Sequence, residues 1–292
     1  SFGCNESHIL SLKISSNNTI RYDSKANRWV SKYFDHSILN FKTKYVKTEE
    51  EARMFLSNTN SSNIIDISVK DYLNLSKTIQ DILKLYHVGV EFPDKDVELD
   101  PYMLGVWLGD GHTNGTGITN TDEPVIQYVK KYCEENNLRC RQGLQTENYR
   151  GDYNYFIVDD TQKKNKFKEL LRKYDILGNK HIPLVYKSNS REKRLKLLAG
   201  LLDTDGYLYM NCYEITQKVK QLSDDICYLA RSLGFSSYVK KVNKSCEYKG
   251  EKKEGTYFLV CIYGKGLEEI PCLVERKKAV IRQQRKDNLV SG

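Results

Sequence analysis

The chain has 292 residues, 39% of them apolar and 11% aromatic, so it can bury a core and fill two or three domains rather than stay disordered. It has no run of 18 apolar residues and no signal-peptide pattern, which argues against a membrane protein and predicts an intracellular protein, cytoplasmic or nuclear, that is not secreted. The eight cysteines are scattered without a Cys-x-x-Cys pair, which favours buried thiols over zinc binding. A net charge of +8 favours a polyanionic partner.

Residues 1–95 differ in pattern from the rest of the chain. Three short alternating runs predict β-strands separated by polar turns; they cover residues 8–14, 28–33 and 42–46. Thr48, followed by three glutamates, predicts the start of a short helix, and residues 68–85 predict a further helical stretch. The polar segment 91–101 contains two prolines and indicates a domain boundary.

From residue 101 onward, one pattern occurs twice with an offset of 95 residues. Each copy begins with an apolar run that contains a glycine and ends in Asp-Gly; the matched pairs are Gly105 with Gly200, Asp110 with Asp205 and Gly111 with Gly206. Each run is followed by an amphipathic helix, predicted at residues 123–137 and 217–233. Repetition at a fixed period predicts that the two copies fold alike.

Each copy continues with two alternating runs, typical of a β-hairpin, and closes with a basic helix. The predicted hairpins pair residues 138–144 with 153–158 and residues 237–244 with 256–263, and the closing helices cover residues 164–174 and 267–285. The sequence therefore predicts an α+β fold of two tandem α-β-β-α-β-β-α repeats with pseudo-two-fold symmetry. We divide the chain into residues 1–95, a first repeat at 96–190 and a second repeat at 191–292.

The glycines inside the two apolar runs predict a close helix pair. Gly105 and Gly200 lie in the middle of predicted helices, where glycine costs about 1 kcal/mol relative to alanine. A small residue at the same place on both helices lets their backbones approach, so we expect Asp110 and Asp205 to emerge side by side. Two adjacent carboxylates repel each other and need a cation or a proton between them. Oxygen ligands favour Mg²⁺, and metals held by two aspartates suit phosphodiester hydrolysis.

The two motifs, MLGVWLGDG and LLAGLLDTDG, resemble the paired signature of the LAGLIDADG homing endonucleases, in particular those embedded in inteins. The resemblance implies saddle-shaped antiparallel sheets and Mg²⁺-dependent cleavage of both DNA strands at one long site, with Mn²⁺ as a possible substitute. It also implies a monomer, since both half-sites lie in one chain. The metal site assigned to Asp110 and Asp205 includes the preceding Gly109 and Thr204, whereas Asp203 is expected to be a helix-end group.

The resemblance extends to two lysines and a glutamine. GNKHIP at residues 178–183 looks like the segment whose lysine enters the family's active site, which assigns Lys180. IPCLVERKK at residues 270–278 occupies the equivalent place in the second repeat and assigns Lys278, with Lys277 as the alternative. Gln217 stands where the family often keeps a glutamine near the site.

In this family the hairpins lie along the major groove, so alternating polar and aromatic residues on them are candidate DNA contacts. The candidates are Arg139, Arg141, Gln145, Tyr153 and Tyr155 in the first repeat, and Tyr209, Gln217, Tyr238, Lys240, Lys241 and Lys244 in the second.

The beginning of the chain is similar to an intein block in which Asn5 and His8 hold the conserved positions. The resemblance implies a partial splicing (Hint-like) domain in residues 1–95, and we expect no splicing by this chain alone. Basic residues of this region are expected to extend the DNA contacts; they are Arg28, Lys32, Lys42, Lys44 and Lys47.

Two other functions remain open on the sequence. The chain could be a non-cleaving nucleic-acid binder, such as a maturase that helps an intron RNA to fold, or an inactive intein remnant. Retention of both aspartates favours cleavage over either alternative.

Overall fold

The computed structural model describes residues 6–15, 18–57, 62–86, 88–146, 149–161, 164–248, 251–281 and 289–291. The chain forms two compact units: Ser1–His87 with Leu289–Gly292, and Val88–Asn288. Among the described residues, no helix is long and apolar enough to cross a membrane.

In its described residues, the first unit contains two antiparallel sheets and three short helices. Its elements are β1 (Ile9–Ile14), β2 (Thr19–Asp23), β3 (Arg28–Asp35), β4 (Asn40–Val46), α1 (Glu49–Ser57), β5 (Ile64–Ser68), α2 (Val69–Leu73), α3 (Lys77–Ile82) and β6 (Leu83–Tyr86). One sheet has the order β2-β3-β4, and the other joins β6, β1 and β5 with a C-terminal strand, Leu289–Ser291. Their core includes Leu12, Phe34 and Leu83.

Two predictions for this unit meet different outcomes. The predicted start of α1 is confirmed, because Thr48 Oγ1 accepts the Glu51 N–H at 3.2 Å and the Glu51 carboxylate accepts the Thr48 N–H at 3.3 Å. The single helical stretch predicted at residues 68–85 is wrong. It divides into α2, α3 and β6, since Leu83 pairs with Ile14 of β1 in the sheet.

The second unit contains the two repeats. The first repeat comprises α4 (Pro101–Asp110), β7 (Gly117–Thr119), α5 (Glu123–Glu135), β8 (Arg139–Gln142), β9 (Gln145–Thr146), β10 (Tyr149–Arg150), β11 (Asn154–Val158), α6 (Lys166–Lys173) and α7 (Leu184–Lys187). The second comprises α8 (Arg191–Asp205), β12 (Gly206–Tyr209), β13 (Cys212–Gln217), α9 (Lys220–Ser232), β14 (Ser236–Tyr248) and β15 (Glu251–Tyr263). Two 3-10 turns follow, Leu267–Glu269 and Glu275–Lys277. The C-terminal strand of the first unit, Leu289–Ser291, is labelled β16.

The predicted α+β fold with its internal repeat is confirmed, with local differences between the copies. In the second repeat the sheet order is β12-β13-β15-β14, and in the first it is β7-β11-β8. The first hairpin of the first repeat is reduced to one bridge between Gly111 and Ile118. Gln217 ends β13 rather than beginning the following helix.

The closing helix predicted at residues 267–285 is wrong for its described part, residues 267–281, which holds only the two 3-10 turns. Pro271 has no N–H to donate and disfavours a helical conformation at the residue before it, so Ile270 is extended. The Leu273 N–H donates to the Asp203 carboxylate at 2.6 Å instead of to a helical carbonyl.

The helices α4 and α8 pack together through their glycines, as predicted. A Cβ at Gly105 would lie 2.3 Å from Leu197 O, and a Cβ at Gly200 would lie 2.3 Å from Tyr102 O. Any larger residue would therefore force the two backbones apart. Around this pair lies one large core that includes Trp107 and Leu202.

The boundary between the units falls at residues 87 and 88, whereas the sequence indicates residues 95 and 96. The polar segment after the boundary belongs to the second unit, because the Val90 N–H donates to Ser232 O at 2.8 Å and the Lys95 N–H to Asn189 Oδ1 at 3.0 Å. The strand β16 pairs with β6, so residues 289–291 belong to the first unit and not to the second repeat.

Candidate active site

Asp110 and Asp205 end the two paired helices, and one amide side chain holds each carboxylate. Asn120 Nδ2 donates to Asp110 Oδ2 at 2.5 Å, and Gln217 Nε2 donates to Asp205 Oδ2 at 2.5 Å. Both amide residues are buried; Asn120 directly follows β7, and Gln217 is the last residue of the corresponding strand β13. The two halves of the site therefore repeat the same polar contact.

Burial dominates the electrostatics of the aspartates. Desolvation raises the pKa of Asp110 to about 6; the negative charge of Asp205 adds to this, while Asn120 and the lysines Lys277 and Lys180 oppose it. Desolvation also raises the pKa of Asp205, against Gln217 and the same two lysines. A cation bound here would stabilise the charged form of both carboxylates.

Two lysine ammonium groups lie at the ends of the same helices. Lys180 Nζ donates to Gly109 O at 3.1 Å and to Gly111 O at 2.7 Å. Lys277 Nζ donates to Asp203 O and to Thr204 O, both at 2.7 Å. Each lysine therefore binds the carbonyl before the aspartate of its own repeat.

The structure corrects the assignment of Lys278. Its ammonium group pairs with Glu275 at 2.7 Å on the surface, whereas Lys277 is buried at the helix end. Consecutive residues of the 3-10 turn and its exit point in different directions, so only one of the two can reach the site. That residue is Lys277.

The charges of the lysines act across the repeats. Lys277 lowers the pKa of Asp110 more than Lys180 does, and Lys180 lowers the pKa of Asp205 more than Lys277 does. Burial lowers the pKa of both lysines, against the attraction of the carboxylates. Lys180 also lies over the ring of Trp107, with its Nζ 5.3 Å from the centroid.

The donor set fits a hard divalent cation. The carboxylates of Asp110 and Asp205 adjoin the carbonyls of Gly109 and Thr204, and both carbonyls already bind a cationic group. The Thr204 hydroxyl donates to Gly200 O at 2.8 Å within its own helix. Within the described ranges, no three His, Cys, Asp or Glu side chains group as a metal site; Mg²⁺ typically uses one or two carboxylates and retains water.

Asp203 is fully buried and is held by hydrogen bonds from two other segments of the chain. Its carboxylate accepts the Tyr102 hydroxyl at 2.8 Å and the N–H groups of Leu273 and Val274 at 2.6 and 3.2 Å. It therefore fastens the segment that leads to Lys277, in keeping with the helix-end role expected from the sequence.

In the second repeat, four of the predicted DNA contacts share the solvent face of the sheet: Tyr209, Tyr238, Lys240 and Lys244. The pairing register places Lys241 on the opposite face, opposite Phe258 and in line with Gln217, so the structure separates it from that group. Tyr207, which was not predicted, stacks on Tyr209 with 6.4 Å between ring centroids.

In the first repeat, Arg139 and Arg141 share the solvent face, where Arg141 lies over the ring of Phe156. Arg139 pairs with Asp160 at 2.6 Å. Tyr155 points to the other face and is 7% exposed, so the structure separates it from these two arginines. Gln145 and Tyr153 lie in and beside the connection between β8 and β11.

The predicted residues of the first unit are only partly described. Asn5 lies outside the described residues, and His8 immediately precedes β1. Lys42 pairs with Asp35 at 2.5 Å, Arg28 lies over Tyr45, Lys32 over Phe41 and Lys44 over Phe55. Lys47 follows β4.

Asn120 is the site residue that the sequence comparison missed. It corresponds to Gln217 through a shift of 97 rather than 95 residues, because the loop after Gly111 differs in length from the hairpin after Gly206. A search for an amide residue just before the amphipathic helix of the first repeat could have found it.

In a comparison with known protein families, one family model matches part of the chain. Residues 181–279 match the family model described as homing endonuclease. The replicative DNA helicase DnaB of Mycobacterium intracellulare is 29% identical over 148 residues, which are 50% of this chain and 21% of the helicase. The ATP-dependent DNA helicase Hel308 of Methanocaldococcus jannaschii is 26% identical over 167 residues, 52% of this chain and 13% of the helicase. The chain thus spans about a fifth or less of these relatives.

Solved structures of the homing endonuclease I-DmoI are also similar. Its mesophilic variants are 15% identical with a TM-score of 0.39, covering 56% of this chain and 87% of that chain. Its complex with DNA and Ca is 16% identical with a TM-score of 0.38, covering 56% and 81%.

Proposed function

We propose that this chain is a site-specific endodeoxyribonuclease of the LAGLIDADG type that hydrolyses both strands of one long DNA site with Mg²⁺. The observation that carries the proposal is the duplicated site: an aspartate at the helix end, an amide that holds it and a lysine on the helix-end carbonyls, once in each repeat. The homing endonuclease match over residues 181–279 supports it.

Each group in the site has a part in the reaction. Asp110 and Asp205 would hold the metal, while Asn120 and Gln217 orient their carboxylates. Lys180 and Lys277 place positive charge where a phosphodiester becomes more negative in the transition state. Bound Mg²⁺ supplies an activated water and stabilises the leaving oxygen.

We further propose that the chain acts as an intracellular monomer, with Mn²⁺ able to replace Mg²⁺. We also propose that the first unit derives from an intein splicing domain and contributes basic DNA contacts through Arg28, Lys32, Lys44 and Lys47. Support for this comes from its β-rich composition and its separate core. Two copies of the site within one chain support the monomer.

A DNA selection followed by cleavage tests the activity. Duplexes bound by the protein in Ca²⁺ are selected from a random library, cloned into a plasmid and incubated with the protein in Mg²⁺. We expect the plasmid to become linear, and the Asp205→Asn variant to bind the same DNA without cutting it. Binding without cleavage by the wild type would favour the non-cleaving binder, and the absence of both would favour the inactive remnant.

A further inference from the structure

The segment that carries Lys180 is held by a carboxylate from the other repeat. Asp225, on α9 of the second repeat, is 3% exposed. Its Oδ2 accepts the Ile182 N–H at 2.9 Å, and its Oδ1 accepts Lys187 Nζ at 2.5 Å and Gln221 Nε2 at 3.0 Å. Ile182 is only two residues from Lys180.

Lys180 depends on such contacts because no helix or strand carries it. It lies in the irregular connection between α6, which ends at Lys173, and α7, which begins at Leu184. A second long-range backbone contact of this connection is the Gly178 N–H to Thr113 O, at 2.7 Å. A backbone N–H bound by a buried carboxylate is a strong, directional tether.

We propose that Asp225 is a positioning residue, which sets Lys180 against the aspartate pair only while the second repeat packs on its segment. The effect of Asp225 on cleavage rests on the proposed nuclease function. Its effect on the position of Lys180 follows from its contacts alone. One carboxylate oxygen binds the backbone and the other binds Lys187, so loss of the side chain releases both ends of the segment that follows Lys180.

A weaker contact links the segment that contains Lys277 to the first repeat. Arg276, next to Lys277, binds Asp122 at the start of α5 in the first repeat, with one of its two contacts at 2.8 Å. The Arg276 side chain is 63% exposed, so this pair contributes less than the buried Asp225 contact. The segment that contains Lys180 and the segment that contains Lys277 are therefore each bound to the other repeat. The contact of the Lys180 segment is the stronger of the two.

The test compares Asp225→Ala with Asp224→Ala in the full chain. Asp224 is the adjacent, more exposed acid and its ion pair is with Lys220 on its own helix, which makes it a matched control. Hydrogen exchange, measured without DNA or metal, is expected to be at least about tenfold faster at residues 179–182 in Asp225→Ala and unchanged in the control. Asp225→Asn, which keeps an acceptor for the Ile182 N–H, should restore part of the protection.

Cleavage of supercoiled plasmid supplies the second measurement. In Asp225→Ala we expect one strand to be cut at least about tenfold more slowly with DNA affinity unchanged, so that nicked circles accumulate. Equal slowing of both strands, or unchanged exchange at residues 179–182, would overturn the proposal. If the alanine variant does not fold, as circular dichroism would show, Asp225→Asn takes its place. The proposal then requires exchange at residues 179–182 to be faster, and one strand to be cut more slowly, than in Asp224→Ala, with both effects smaller than about tenfold. A wild type that does not cut refutes the nuclease function, whereas the exchange experiment still decides the tether.

Discussion

At the residue scale, burial makes Asp110 costly to the folded state. An acid whose pKa is raised on folding destabilises the protein above that pKa and has no such effect below its unfolded pKa. For Asp110, with a folded pKa of about 6, the penalty is full above pH 6 and disappears towards pH 4. The carboxylate of Asp110 therefore opposes stability at neutral pH.

The first prediction follows from this penalty. Asp110→Asn keeps the shape of the side chain and an oxygen that accepts from Asn120, but it removes the buried charge. Without metal at pH 7.5 it should stabilise the fold by up to roughly 3 kcal/mol, and the gain should vanish towards pH 4. Urea unfolding in EDTA at several pH values measures it, with Asp224→Asn as the exposed control. A gain that is independent of pH would contradict the assignment.

The second prediction separates the two adjacent lysines. Lys277→Met removes a positive charge from the helix-end carbonyls, so we expect cleavage to fall by about 10²-fold or more. Lys278→Met should cleave at close to the wild-type rate, because this side chain lies on the surface beside Glu275. Single-turnover cleavage of the selected site compares the two variants. The reverse order of effects would restore Lys278 to the site.

At the element scale, the α4 and α8 pair determines where the aspartates lie. The third prediction concerns the glycines of this pair. Gly105→Ala would place a Cβ 2.3 Å from a backbone carbonyl that cannot move by itself. Although alanine favours helix, we expect a net loss of about 1–3 kcal/mol from overpacking.

The matched change is Gly115→Ala, where the nearest atom to the new Cβ is 3.9 Å away. It should change stability by no more than about 0.5 kcal/mol. Chemical denaturation of both variants makes the comparison. Equal stability of Gly105→Ala and the wild type would mean that the helix pair separates without cost.

The elements that sequence patterns predicted well are those with local periodicity. The amphipathic helices α5 and α9 and the later hairpin of each repeat lie within a few residues of their predicted bounds. The closing segment of the second repeat was misread because its buried residues, such as Ile270 and Val274, recur at helical spacing. Pro271 and the hydrogen bonds to Asp203 prevent a helix in this segment despite that spacing.

At the scale of the whole molecule, the two compact units have separate cores. The fourth prediction uses the strand β16, which pairs with β6 in the sheet of the first unit. Truncation after residue 288 should lower the free energy of unfolding of the first unit by about 1 kcal/mol or more and leave the second unchanged. Calorimetry measures both transitions, and a fragment of residues 88–288 identifies the one that belongs to the second unit. A shift of that second transition would contradict the division.

The sequence by itself determined the repeat, the glycine-lined helix pair and the two aspartates, because these features depend on periodicity and on residues within one element. Only the tertiary structure decided between Lys277 and Lys278, found Asn120 and showed that the charge of each lysine acts more strongly on the aspartate of the other repeat. These features lie on irregular connections, where the direction of a side chain depends on contacts with distant residues such as Asp225 and Asp203. The spacing of residues along the sequence does not specify such contacts.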